Sequence, residues 1–391
     1  MVLSSTILII ILKAHLYSLS RYIVRVGRMG FIFKEKIRKC KICGKERIIS
    51  STLGVCRDCI NSRFIEAKPY INDAHLKTRE QFSLPIKPPK TKKGIKCNIC
   101  SHECIIGKGE KGFCGLRWNE NGKLVSLSNV DKAPAYTYLD PHITNCCASW
   151  FCPGGTGLGY PKFAVKPGPE YGYYNLAVFL YGCNFDCLFC QNWEHKLIQE
   201  APIKTSEEVA KEALLNSKVT CICYFGGDPD VHLPFIIAVN KRVIENKENR
   251  IIRICYEWNG DGNPILVKKA AEQVFVTGGI IKFDLKAPND KLYYALTRVT
   301  PKNVWRNFEM IYHEFYNERP IVPILTATTL LVPGYIGVKE VEEIAKWISE
   351  LDSTISYSLL IFHPDFYMKD LPITTNTRRK PTVSNRGMNP R

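Results

Sequence analysis

A chain of 391 residues, 45% hydrophobic and 23% charged, has room for one large domain with one or two small ones and reads as an ordinary soluble globular protein. Its 17 cysteines are odd in number and fall in clusters with short, metal-like spacings, which excludes an evenly paired secreted disulfide scaffold and suits a reducing cytoplasm. The formal charge of +17 is spread along the chain, with short runs only at Lys87–Lys96 and Arg378–Lys380 and no interleaved aromatic-and-basic signature. Nucleic acid therefore stays a minor alternative partner, and an acidic partner protein or a generally basic proteome explains the charge as well.

Near the start, the apolar run Ile7–Leu12 is too short for a membrane span, which needs about 20 residues. No positive segment precedes it and no small-residue cleavage site follows. Residues 1–33 read as an extension, with Met29 a candidate start and no membrane partner expected. Residues 34–62 are basic and punctuated by cysteine: Cys40-x2-Cys43, twelve residues, then Cys56-x2-Cys59. That is the pattern of two knuckles around one tetrahedral ion, zinc, with iron in a rubredoxin-like site as the alternative. Gly44 and Gly54 stand near the knuckle turns. Such a ribbon docks a partner or replaces a hydrophobic core in a segment too small to build one. Residues 63–96 read as a linker, ending in the proline- and lysine-rich stretch 85–94.

A cysteine-rich subdomain is expected over 97–172. Cys97, Cys100, Cys104 and Cys114 can take a second metal, zinc or an auxiliary cluster, with His102 as a spare ligand. Asn119 to Gly122 is a hairpin turn before an apolar strand. Cys146, Cys147 and Cys152 form a third group whose spacing does not separate ligands from buried free thiols. The glycine-rich stretch Pro153–Gly159 is not a P-loop, because the closing Gly-Lys-Ser/Thr is missing.

From residue 174 strand and helix alternate. Strands are expected at Asn175–Gly182, Val219–Phe225, Arg250–Tyr256, Ile280–Leu285, Ile321–Leu330 and Ser356–Phe362. Between them lie helical patterns, including a capping box at Thr205–Glu208 and the stripe Val338, Val341, Ile344, Ala345, Ile348. Six β-α units with right-handed crossovers make an α/β fold, a partial (β/α)6 TIM-like barrel over 173–370, with the small cysteine-rich metal-binding extension before it. After Leu371 the chain turns polar (371–391) with no final helix, which would leave the edge of the sixth strand bare.

Chemistry in such a fold sits where the strands end. The first strand runs into Cys183-x3-Cys187-x2-Cys190, three thiols from one tight loop. Taken alone, a zinc knuckle or a disulfide loop fits too. Three thiolates on a [4Fe-4S] cube would leave one iron without a protein ligand, and an open position lets a metal react. The second strand ends in Phe225-Gly226-Gly227-Asp228-Pro229, the third in Tyr256-Glu257-Trp258-Asn259-Gly260, and the fourth in Phe283-Asp284-Leu285-Lys286.

In this order the motifs resemble those of the radical S-adenosylmethionine (SAM) enzymes, in the pyruvate formate-lyase-activating-enzyme-like branch. The chain is most similar to the proteins called AmmeMemoRadiSam, through Cys114-Gly-Leu-Arg117 and Cys190-Gln-Asn-Trp-Glu194. The resemblance covers roughly 97–370; the Cys40–Cys59 ribbon and the Cys146–Cys152 insertion lie outside it. It implies that Cys183, Cys187 and Cys190 hold a [4Fe-4S] cluster whose open iron is chelated by SAM, and that reductive cleavage of SAM yields a radical that abstracts hydrogen. It further implies SAM contacts from Gly226, Gly227, Asp228, Glu257, Asn259, Asp284 and Lys286, and an electron donor such as ferredoxin or flavodoxin. Asp228 stands where the family has Glu, which keeps the charge and shortens the reach. Leu330–Tyr335 would line the adenosine side, and His363 is either a substrate contact or a structural histidine. Two substrate classes stay open: a protein, as for an activase, or a small molecule or nucleotide. The non-enzymatic alternative is a zinc-ribbon nucleic-acid-binding module with the barrel as scaffold.

Overall fold

The computed structural model describes residues 37–374 and the backbone of Ile10–Leu12. The candidate start at Met29 and the tail beyond 374 lie outside the described residues.

All six strands expected from the alternation form. With three others they make one sheet: β1 (Ile10–Leu12), β2 (Lys132–Pro141), β3 (Tyr174–Leu180), β4 (Ile203–Thr205), β5 (Val219–Gly226), β6 (Arg253–Trp258), β7 (Ile281–Asp284), β8 (Leu325–Leu331) and β9 (Ser356–Ile361). Their spatial order is β1-β9-β8-β7-β6-β5-β3-β2-β4. From β3 to β9 every pairing is parallel. The flanking strands β1, β2 and β4 pair antiparallel. The architecture is thus mixed α/β on a mostly parallel sheet.

The α-helices of six residues or more among the described residues are α1 (Arg57–Ser62), α2 (Phe64–Glu80), α3 (Ser206–Leu215), α4 (Leu233–Asn246), α5 (Pro264–Thr277), α6 (Asp290–Thr297), α7 (Lys302–Ile311) and α8 (Val338–Leu351). At the start of α3, Glu208 N donates to Thr205 Oγ1 at 3.1 Å and Thr205 N to Glu208 Oε2 at 2.7 Å, the expected capping box.

Side chains alternate across each strand, so the sheet has two chemically different faces. Tyr224, Tyr256 and Phe283 point toward the helices. Tyr224 Oη donates to Asn240 of α4 at 2.7 Å, Asn240 reaches Tyr256 at 2.9 Å, and Phe283 meets Phe308 of α7 edge-on at 5.1 Å. Cys223, Glu257 and Lys282 occupy the opposite, inner face, where Lys282 touches both of the others. Part of that face is covered by residues 142–170: Glu170 forms a two-pronged pair with Arg253 (2.6 and 2.8 Å), and Ser358 Oγ donates to Cys147 O at 3.1 Å.

Two expectations, on the linker and on the sheet edge, are corrected. Residues 64–80, read as linker, form the 17-residue helix α2. Its buried stripe, Ala67, Ile71, Ala74, His75, Thr78 and Arg79, has helical spacing but is half polar, which hides it from an apolar-periodicity reading. The outer edge of β9 is not bare, because Ile10–Leu12 pairs with it. The ribbon has no core of its own: Ile49, Leu53, Val55 and Ile60 are fully buried in the same apolar cluster as the sheet.

Candidate functional site

Cys183 leaves the end of β3 and begins a loop that carries Cys187 and Cys190. Burial pushes all three thiols up, Cys187 to about 12 and Cys183 well above its ordinary value, so they deprotonate only when a cation takes the proton's place. The three are not among the ligand sets that crowd within 4.8 Å, as one ion would require. A cube with irons at several corners needs its thiolates wider apart than a single ion does, so these residues fit a cluster better than zinc.

Asp186, between the first two cysteines, is fully buried and fixes the loop. Lys196 Nζ lies 2.6 Å from Oδ1, while His75 Nδ1 (2.8 Å) and Thr78 Oγ1 (2.6 Å) approach Oδ2. Burial opposes its charge, but Lys196, His75 and Arg79 outweigh that and hold the carboxyl well below the usual range. None of these residues stood out in the sequence. An aspartate inside a cysteine loop was the available signal, and three of its partners, His75, Thr78 and Arg79, lay in the segment read as linker.

The other strand ends gather around the same loop. Gly226 has φ +109°, and a Cβ there would stand 2.8 Å from Leu180 N; at Gly227 it would stand 2.2 Å from Gly182 O. Only glycine lets β5 turn this tightly against the start of the cysteine loop. Asn259 N donates to Asp228 Oδ1 at 3.0 Å, and Asn259 Nδ2 lies 3.5 Å from Cys183 Sγ. Burial first, then Asp230, raises the Asp228 carboxyl well above its normal value; Asp230 and Asp261 are lifted to about 7. Lys286 pairs with Asp284, and burial, which disfavours its charge, is outweighed by Asp284 and by the thiols of Cys187 and Cys190. Asp228 Oδ2 and Asp284 Oδ1 are buried and accept no hydrogen bond from the described residues. Two acceptors left open beside three cysteines suit a ligand with an ammonium group or hydroxyl donors.

Glu257 does not join this group. Its carboxylate turns to Lys282, at 2.8 Å, on the inner face. His363 is exposed and lies 2.8 Å from Asp365 Oδ2.

In the ribbon, Cys40, Cys43, Cys56 and Cys59 converge as expected. Tetrahedral thiolate sites with Zn–S of about 2.3 Å place sulfurs roughly 3.8 Å apart. Cys40–Cys59 and Cys43–Cys56 are 3.8 and 3.9 Å apart. These four could hold a metal ion. Cys97, Cys100, Cys104 and Cys114 do not converge in this way. Cys97 and Cys104 pack with Ile106 and Phe113, while Cys100 packs with Leu116, Ile198 and Val231, with Cys114 alongside. One ion would not be held by all four sulfurs at once. The segment is also a buttress: His102 Nε2 lies 2.6 Å from Asn184 O in the cysteine loop, and Ser101 Oγ bonds Asp261. Burial lowers His102 to about 4, so it is a neutral donor.

Residues 177–348 match the family model of the Radical SAM superfamily, a span that opens inside β3, includes the cysteine loop and strand ends, and closes in α8. The chain carries a radical SAM domain. Such a domain implies an iron–sulfur enzyme that cleaves SAM reductively. The uncharacterized protein MJ0808 of Methanocaldococcus jannaschii is 23% identical over 298 residues, covering 72% of this chain and 74% of that protein. The uncharacterized protein MJ0674 of the same organism is 23% identical over 294 residues, covering 71% and 68%. Both alignments extend well beyond the radical SAM domain. No helix among the described residues is long and apolar enough to cross a membrane.

Proposed function

We propose that Cys183, Cys187 and Cys190 hold a [4Fe-4S] cluster, and that the chain is an activating-enzyme-like radical SAM oxidoreductase acting on a protein. The observation that carries the cofactor assignment is the convergence of three thiols, Cys183 buried and Cys187 and Cys190 half-buried, with the unpartnered acceptors of Asp228 and Asp284 and the ammonium of Lys286. Cluster and SAM, when bound, supply one-electron cleavage of the sulfonium and abstraction of hydrogen. The chain's own task is to hold and orient. Gly226 and Gly227 bring bare backbone to the ligand, Lys286 offers a charge for its carboxylate, and Asp228 and Asp284 accept from its amine or ribose. Asp186 keeps the cysteine loop in place through α2.

Sequential order of six parallel strands supports a partial (β/α)6 barrel around this site. The sulfur spacing in the ribbon supports zinc there. Seventeen unpaired cysteines favour a reducing cytoplasm, where a ferredoxin or flavodoxin can supply the electron. A protein substrate is favoured by the Asp284-Leu-Lys286 motif and by aromatic surface beside the site. Tyr136 and Tyr138 on β2 are about half exposed, at 53% and 41%, and neighbour Phe179 and Phe225 near the strand ends. With uniformly deuterated cell fractions, label should reach 5′-deoxyadenosine from the protein fraction. Label arriving only from the low-molecular-weight fraction would replace the activase reading with modification of a metabolite.

A further inference from the structure

A second set of ligand atoms converges on the inner face of the sheet. Cys146 Sγ, Cys147 Sγ and a carboxylate oxygen of Glu257 lie within 4.8 Å of one another. The two cysteines come from the 142–170 segment and the glutamate from β6, so the set exists only because that segment folds across the sheet. It is anchored there: Cys147 O accepts from Ser358 Oγ at 3.1 Å, Trp150 Nε1 donates to the same hydroxyl at 3.2 Å, and Ala148 N lies 3.3 Å from Cys146 Sγ. Lys282, the register partner of Glu257 on β7, is buried among these groups. Its Nζ stands 2.8 Å from Glu257 Oε1, 3.0 Å from Cys146 Sγ and 3.5 Å from Cys223 Sγ.

Two thiolates and a carboxylate carry three negative charges, and Lys282 offsets one. The remaining two match a divalent cation. Two sulfurs and one oxygen suit a borderline-soft ion, zinc or ferrous iron, rather than magnesium or calcium. A lysine that donates to both a thiolate and the carboxylate is the kind of outer-shell partner that orients metal ligands. We infer that Cys146, Cys147 and Glu257 form a three-ligand site for a soft divalent ion, supported by Lys282. Unlike the four-thiol ribbon, it leaves a coordination position free. Asp284 lies two residues beyond Lys282 on the same face of β7, about 7 Å at roughly 3.3 Å per residue. A carboxylate or thiolate on a molecule bound next to Asp284 therefore has a metal within reach as a fourth ligand.

The test counts metal and does not depend on SAM cleavage, so it can fail while the radical reading stands, and the reverse. Full-length protein, anaerobically reconstituted with iron and sulfide, is equilibrated with zinc chloride, desalted, and assayed for zinc and iron. Cys146→Ser/Cys147→Ser should retain its iron and hold about one zinc fewer per chain than wild type. Glu257→Gln keeps both thiols and the fold, and should release that zinc to a chelator at least about tenfold more readily. Ferrous iron supplied in place of zinc should show the same difference. Equal zinc in wild type and the double variant, or equal chelator resistance in Glu257→Gln, overturns the site and leaves Lys282 as the resident cation of a thiol pocket.

Discussion

Lys286 shows how one side chain links sequence and site. A lysine is costly to bury, and this one is 8% exposed, held charged by Asp284 and by the nearby thiols of Cys187 and Cys190. Lys286→Ala should weaken SAM binding to the reconstituted protein by about 1.5–3 kcal/mol, the range of a charge-assisted hydrogen bond. That corresponds to a roughly 10- to 150-fold higher Kd in anaerobic titration calorimetry. An unchanged Kd would remove Lys286 from the ligand. Residues of this kind were legible because they punctuate strand ends at recognisable spacings. Glu257 was only half legible: its position at a strand end could be read, but its partner Lys282 is set by β6–β7 register, which leaves no mark at short range.

At the level of elements, α2 was the segment whose role the sequence hid. Pro69 stands inside it, and the buried side of the helix carries His75, Thr78 and Arg79 beside Ala67, Ile71 and Ala74. These polar residues are buried because they serve Asp186, whose own chain neighbours give no hint of them. Asp186→Asn would leave the Lys196 ammonium, 1% exposed, without its counter-charge. Breaking a buried pair from one side costs about 3–5 kcal/mol. The variant should unfold at lower urea than wild type and take up less iron on reconstitution, while the ribbon keeps its metal. Wild-type iron content together with a wild-type urea midpoint would show that α2 does not set the loop. The strands flanking the parallel set, β1, β2 and β4, were missed for a related reason: their pairing is antiparallel and long-range, outside the βα rhythm that exposed the other six.

Over the whole molecule, the strand order was legible because right-handed βα units laid side by side leave one natural arrangement. The seating of the ribbon was not. It rests on contacts between residues hundreds of positions apart: Ser50 N to Tyr335 Oη at 3.1 Å, Ser51 N to Asp370 Oδ2 at 2.8 Å, and Arg57 to Glu340 at 2.8 Å. Ribbon, buttress and sheet consequently share buried contacts, and the cysteine loop is held from three sides by α2, by the 97–104 segment and by the strand ends. What this assembly is proposed to do is split SAM with one electron. Full-length protein reconstituted anaerobically with iron and sulfide, then given SAM and dithionite, should be brown and release 5′-deoxyadenosine and methionine. Cys187→Ala should yield neither colour nor 5′-deoxyadenosine while keeping the metal of the ribbon. A wild type that binds no iron–sulfur cluster, or a Cys187→Ala variant that cleaves SAM as fast as wild type, would contradict the account.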